Sequence, residues 1–213
     1  MKNKENLQEV MLVGITGGIG AGKTTVSNYL SEKGFKVLNA DNIAKDILSN
    51  NLEVKQKIIQ TFGNDSYKNG KYNSSFIASC VFEDNNNNNS NKKLALLNQI
   101  VHPIIIQELI DQIELLAFTG EKIIFVDIPL LFELNLEEGF DYVITVFSND
   151  DIRLRRIKER SNLSEEQIKN RIKQQISQEE KIKNSDFVLE NNGSYEELYK
   201  GADFLLSILE TMT

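Results

Sequence analysis

The chain has 213 residues, 40% of them hydrophobic and 26% charged, with a formal net charge of −7 and one cysteine. This length suits one α/β domain with inserted parts, and no run approaches the roughly 18 apolar residues of a membrane span. The negative charge argues against nonspecific nucleic-acid binding, and a lone cysteine excludes an internal disulfide and fits a reducing cytoplasm, where Cys80 reads as a small packing residue.

Residues 1–9 are polar, lack an apolar signal-peptide core and read as a flexible tail. Val10 to Thr16 is apolar and partly β-branched, which predicts a buried strand. Gly17, Gly18, Gly20 and Gly22 follow, then Lys23 and Thr24, giving the spacing G-x-x-x-x-G-K-[ST] between a strand and a predicted helix. Backbone N–H groups and a helix N-terminus there suit phosphate oxygens. In such a loop Lys23 reaches the β- and γ-phosphates and the Thr24 hydroxyl ligates Mg²⁺. The stretch therefore reads as a nucleoside triphosphate site.

Thr24 to Lys33 is a predicted helix closed by Gly34, and Phe35 to Leu38 a short second strand. Asp41 follows and reads either as a general base or as the N-cap of the next helix. From residue 51 the pattern changes. Leu52 to Phe62 and Ser75 to Phe82 are helical, Gly63 to Asn73 is turn-rich, and Asn85 to Asn91 reads as a mobile low-complexity loop. No strand of the main sheet is evident, which predicts an inserted helical subdomain. Leu94 to Phe118 has a helical period interrupted at His102-Pro103; His102 is open to a substrate contact, a turn cap or a core position, and Pro103 suits a helix start.

Lys122 to Asp127 is a clear buried strand, and its terminal acid is of the Walker-B type, near Mg²⁺ or its water shell. Tyr142 to Phe147 is the next strand. Asp150 to Ser161 and Ser164 to Lys183 are predicted helices, the latter opened by a capping box at Ser164 and Gln167. Phe187 to Glu190 is a last strand, and Ser194 to Met212 an amphipathic closing helix. All five arginines, Arg153, Arg155, Arg156, Arg160 and Arg171, fall between Asp150 and Lys183, a segment of charge +3 in a chain of −7. Planar contact with phosphate explains that concentration; a helix face laced with ion pairs is the alternative.

The alternation predicts an α/β fold: a P-loop NTPase-type parallel sheet of about five strands with helices on both faces, plus an inserted helical subdomain and a helical lid. Asp41, Asp127 and Asn191 then share one sheet edge with the phosphate loop. The expected domain is 10–213, with a core of 10–50, 95–149 and 184–213, an insertion of 51–94 and a lid of 150–183. No Asn-Lys-x-Asp guanine signature follows a strand, so a small-molecule or nucleotide kinase fits best.

The set Thr16 to Thr24, Asn39-Ala40-Asp41, His102-Pro103, Asp127 to Glu133, the Arg160 to Gln175 lid and Asn191-Asn192-Gly193 resembles the dephospho-CoA kinase family over roughly residues 10–200. That family moves the γ-phosphoryl of ATP to the 3′-hydroxyl of dephospho-CoA. The resemblance implies that Gly20, Ala21, Gly22, Lys23, Thr24 and Thr25 bind ATP phosphates, with Asn192 and Gly193 near adenine. It implies Asp41 as base, Arg160 and Arg171 over the phosphates, and Lys23 in catalysis. His102, Pro129 and Leu130 would meet the CoA substrate, the inserted region its pantetheine side, and Thr24 and Asp127 would hold Mg²⁺. Two positions depart from the family pattern: Asn39 stands for the first Asp of Asp-Ala-Asp, and Ser161 for an Asp after Arg160. The partners expected are ATP and dephospho-CoA, without nucleic acid or membrane, for a cytoplasmic monomer or weak homo-oligomer. Another P-loop small-metabolite kinase and a non-enzymatic nucleotide-binding regulator are the competing readings.

Overall fold

A computed structural model describes residues 10–82, 89–161, 164–173 and 175–213. The expected tail 1–9 and residues 85–88 of the Asn-rich stretch lie outside these; residues 89–91 open a helix rather than a loop. The chain forms two compact units, one built from the residues up to Asn39 and from Ile113 to Thr213, the other from Ala40 to Gln112.

The first unit is organised by a five-stranded sheet: β1 (Met11–Thr16), β2 (Lys36–Asn39), β5 (Ile123–Asp127), β6 (Tyr142–Phe147) and β7 (Phe187–Glu190). Their order is β2-β5-β1-β6-β7, every pair parallel. β5 is buried along its whole length, as a near-continuous Ile/Phe/Val run in an inner parallel strand should be. Around the sheet lie α1 (Lys23–Glu32), α6 (Asp150–Arg160), α7 (Glu165–Lys173), α8 (Gln178–Lys183) and α9 (Tyr195–Thr211). The core joins Val13, Ile15, Phe125, Ile144 and Val146 of the sheet to Val26 and Leu30 of α1 and to Leu198, Leu205 and Leu209 of α9. At about 25 cal/mol per Å² of apolar area, burial of these side chains is the main drive to assemble the layers.

Parallel pairing brings the strand ends together. Asn39 and Ile15 both stand opposite Asp127, and Thr16 stands opposite Thr145. Strand order reverses direction around β1, so the phosphate loop leaves the sheet at the point where a ligand crevice forms.

The second unit contains α2 (Ala40–Asn50), α3 (Leu52–Phe62), the two-residue strands β3 (Tyr67–Lys68) and β4 (Lys71–Tyr72), α4 (Ser74–Phe82) and most of α5 (Asn89–Phe118). It therefore spans the expected insertion 51–94 and more on both sides. Ile43 and Ile47 of α2 and Val54 and Ile58 of α3 are buried. Asn51 caps α3, its side chain accepting from the Val54 N–H at 3.0 Å.

Two helix expectations are corrected. Ser164 to Lys183 is not one helix: α7 ends at Lys173, and Ser177 starts α8 by accepting from the Glu180 N–H at 3.1 Å. A serine able to cap favours a new start over continuation. The Leu94–Phe118 pattern is not interrupted at His102-Pro103, because α5 runs through Pro103. Proline removes one N–H from the ladder; Gln99, four residues earlier, and Pro103 are both exposed, where water can satisfy the carbonyl left over. The capping box at Ser164 and Gln167 forms in both directions, at 2.9 and 3.2 Å.

Candidate active site

The site grows from the loop between β1 and α1. Gly17, Gly20 and Gly22 have φ of 148, 82 and 102°, and Gly22 is the left-handed N-cap of α1. A side chain at Gly17 would run into the Val146 carbonyl, and one at Gly22 into the Asn191 carboxamide. These glycines are thus required by both backbone angle and space. Past Gly22 the first amides of α1 have no carbonyl one turn earlier, which leaves them oriented for an anion. Ala21 is fully buried beneath the loop, while Thr24 is exposed at its mouth and Lys23 and Thr25 are half-buried.

Asp127 ends β5 beside this loop and is 2% exposed. Its Oδ2 accepts from the Ser27 hydroxyl of α1 at 2.9 Å and from the Asn39 amide of β2 at 3.3 Å. Two neighbouring elements therefore aim one carboxylate. Thr24 and Asp127 supply hard oxygen donors, the chemistry Mg²⁺ prefers, and Mg²⁺ commonly keeps several waters in such sites. The loop after β5 carries Pro129 and Leu130; the Pro129 carbonyl accepts from the Thr16 hydroxyl at 3.2 Å, and Leu130 is exposed.

The floor and far wall come from Asn191 and two of the five clustered arginines, whose partners pattern reading could not supply. Asn191, 3% exposed, donates to the Ala21 carbonyl at 2.8 Å and accepts from Arg156 at 3.2 Å. Arg153, 2% exposed, donates from Nε to the Ile19 carbonyl at 2.9 Å and from its guanidinium to Asp150 at 2.8 Å. Burial pushes the Arg153 pKa down, and Asp150 opposes that shift. The arginine segment thus divides. Arg153 and Arg156, one helical turn apart on α6, support the phosphate loop. Lys158 and Lys169 both pair with Glu165, which is the ion-pair lacing considered as the alternative. Arg160 and Arg171 are exposed and enter no ion pair among the described residues.

Asn192 accepts from the Asn149 N–H at 2.8 Å, and Gly193 is exposed beside the capping box of α9. Both border a cavity of about 670 Å³ between β7 and α9, whose wall includes Leu189 and Phe204 but no residue of the phosphate loop. Asp41 and His102 belong to the second unit. Asp41 is exposed in the first turn of α2, as its second residue; it lies inside the helix and is not its N-cap. His102 is half-buried on α5, and burial pushes its pKa down.

A family model for dephospho-CoA kinase matches residues 11–197. The chain belongs to the dephospho-CoA kinase family. A relative from Fusobacterium nucleatum bearing that family name is 43% identical over 192 residues, covering 90% of this chain and 94% of the relative. Among solved structures, a Thermus thermophilus protein is 31% identical with a TM-score of 0.81, covering 95% of this chain and 99% of that one. A dephospho-CoA kinase from Campylobacter jejuni is 29% identical with a TM-score of 0.69, covering 93% of this chain and 96% of that one. Family membership therefore extends across both units and the arginine-bearing helices. No helix among the described residues is long and apolar enough to cross a membrane.

Proposed function

We propose that the protein transfers the γ-phosphoryl group of ATP to the 3′-hydroxyl of dephospho-CoA, giving CoA and ADP. The family match over residues 11–197 carries this reading. The phosphate loop, with a buried Asp127 aimed beside it by Ser27 and Asn39, supports the ATP half.

Gly20, Ala21, Gly22, Lys23, Thr24 and Thr25 would cradle the ATP phosphates, the backbone supplying donors and Lys23 a positive charge. Thr24 and Asp127 would hold Mg²⁺, Asp127 through water; the metal would neutralise charge developing between the β- and γ-phosphates. Asp41 would accept the proton of the 3′-hydroxyl as its oxygen bonds to the γ-phosphorus and the bond to the β,γ-bridging oxygen breaks. Arg160 and Arg171, exposed cations outside any ion pair among the described residues, would close over the transferring group. Planar guanidinium suits that role better than lysine. His102, Pro129 and Leu130 would meet dephospho-CoA, and Asn192 and Gly193 the adenine of ATP. The region 51–94 would serve as the substrate side and 150–183 as the lid.

The test is ADP release from Mg-ATP with and without dephospho-CoA, with mass detection of the product. Release that depends on dephospho-CoA, with a product heavier by one phosphoryl group, is the expected result. Folded, ATP-binding protein that shows no acceptor-dependent release would overturn the assignment.

A further inference from the structure

One residue of the phosphate loop, Ile19, is held through the peptide groups on both sides of it. The Ile19 carbonyl accepts from Arg153, and the Ile19 N–H donates to the Gln175 side-chain oxygen at 2.9 Å. Gln175 comes from the connection between α7 and α8, more than 150 residues away along the chain. Its neighbour Ile176 donates its N–H to Glu133 at 3.0 Å. Glu133, in the loop after β5, also receives the Lys181 ammonium at 2.7 and 3.0 Å. Lys181 is fully buried and Glu133 only 15% exposed. A buried ion pair with this geometry is costly to break from one side, so the segment bearing Gln175 is pinned from behind.

The loop itself needs such a brace. Gly17, Gly18, Gly20 and Gly22 leave its backbone many conformations, and only a few converge the amides on one anion. Ile19 sits among these glycines, and fixing the two peptide groups that flank it narrows that choice.

We infer that Gln175 is a positioning residue for phosphoryl transfer: its carboxamide fixes the Gly18–Ile19 peptide group, and so the shape of the phosphate cradle, from an anchor formed by Glu133 and Lys181. This rests on the reading of the loop as the ATP site. Arg171 lies four residues before Gln175, so the same brace ties an arginine-bearing helix to the loop its cation would serve.

Gln175→Met keeps the length of the side chain and removes the acceptor. The expected result is an Mg-ATP dissociation constant and a kcat/KM for ATP each worse by about tenfold, the effect of one lost supporting hydrogen bond. The KM for dephospho-CoA should stay within about twofold, the Tm within about 2 °C, and the Ile19 amide should exchange faster with solvent. Glu133→Gln weakens the anchor, and if both residues act through one peptide, the double variant should lose little more ATP affinity than the worse single variant. Unchanged ATP affinity and Ile19 exchange in Gln175→Met would overturn the inference. So would equal losses toward both substrates together with a fall in Tm, which is the pattern of a purely structural role. Direct ATP binding and Ile19 exchange need no acceptor, so they judge Gln175 even where wild-type protein fails to phosphorylate dephospho-CoA.

Discussion

Asp127 shows how much of a side chain's placement lies in its neighbours. A carboxylate closing an apolar strand can be read from the chain alone. Its aim cannot, because Ser27 lies 100 residues away and Asn39 lies 88 away. Asn39 is also one of the two positions where the chain departs from the pattern that the sequence resemblance implies. The register sets it directly opposite Asp127, and its amide donates to that carboxylate. An aspartate there would place two carboxylates in hydrogen-bond reach, and one of them would be pushed toward protonation. Asparagine keeps the polar contact without that conflict. Asp41 calls for the opposite experiment, since its exposed position in the first turn of α2 leaves it open to substrate. Asp41→Asn should lower kcat by about 10²- to 10⁴-fold, the usual worth of a general base, with ATP affinity nearly unchanged. A loss of thermal stability with normal kcat would return Asp41 to a structural role.

Among the elements, α5 is where propensity and tertiary context disagree most openly. Thirty residues run through Pro103, although proline in a helix interior costs about 3 kcal/mol. Part of that is offset by the stiffness proline gives the unfolded chain, worth up to about 1 kcal/mol. Pro103→Ala should therefore stabilise the protein by about 2–3 kcal/mol in urea unfolding. A destabilised variant would mean that the helix needs a bend at this point. The pair α6 and α7 illustrates a different balance. Glu165 is held down to about 2 by hydrogen bonds to Lys158 and Lys169, but all three side chains face solvent. Salt screens such pairs, so the one that joins the two helices, Lys158 with Glu165, tunes the docking of α7 on α6 without deciding it. Arg153 decides more, because it is buried and its hydrogen bond ends on the phosphate loop itself.

For the molecule as a whole, the acidic balance of −7 coexists with a cationic segment set against the nucleotide loop. Local charge placement, and not net charge, prepares the protein for a polyphosphate. The composition also gives a simple titration. The chain has one histidine, His102, and burial pushes its pKa below the ordinary 6.5. The folded state therefore favours the neutral ring, whereas the unfolded chain takes up the proton first as pH falls. Stability from this residue is present above about pH 6.5 and is lost as pH drops through the folded value. His102→Gln should flatten the decline of the urea midpoint between about pH 7 and 5. An unchanged slope would show that His102 is as well solvated in the folded protein as in the unfolded chain.

The sequence by itself determined the strand–loop–helix phosphate site, the parallel alternation and the acid closing β5. Each is local: apolar runs, glycine spacing and a terminal acid act over a few residues, and their meaning does not depend on distant chain. It also carried enough of the family pattern to name the reaction before any coordinates. Only the tertiary structure decided that α5 continues through Pro103, that α7 and α8 are separate, and that Asp41 lies within a helix instead of capping it. It alone assigned Arg153, Arg156, Asn191 and Gln175 to the support of the loop, because their partners come from distant segments through strand order and register. Concentrating every arginine in one segment marked where to look. Which arginine turns inward depends on helix phase and on the neighbours that bury it, and those exist only once the chain is folded.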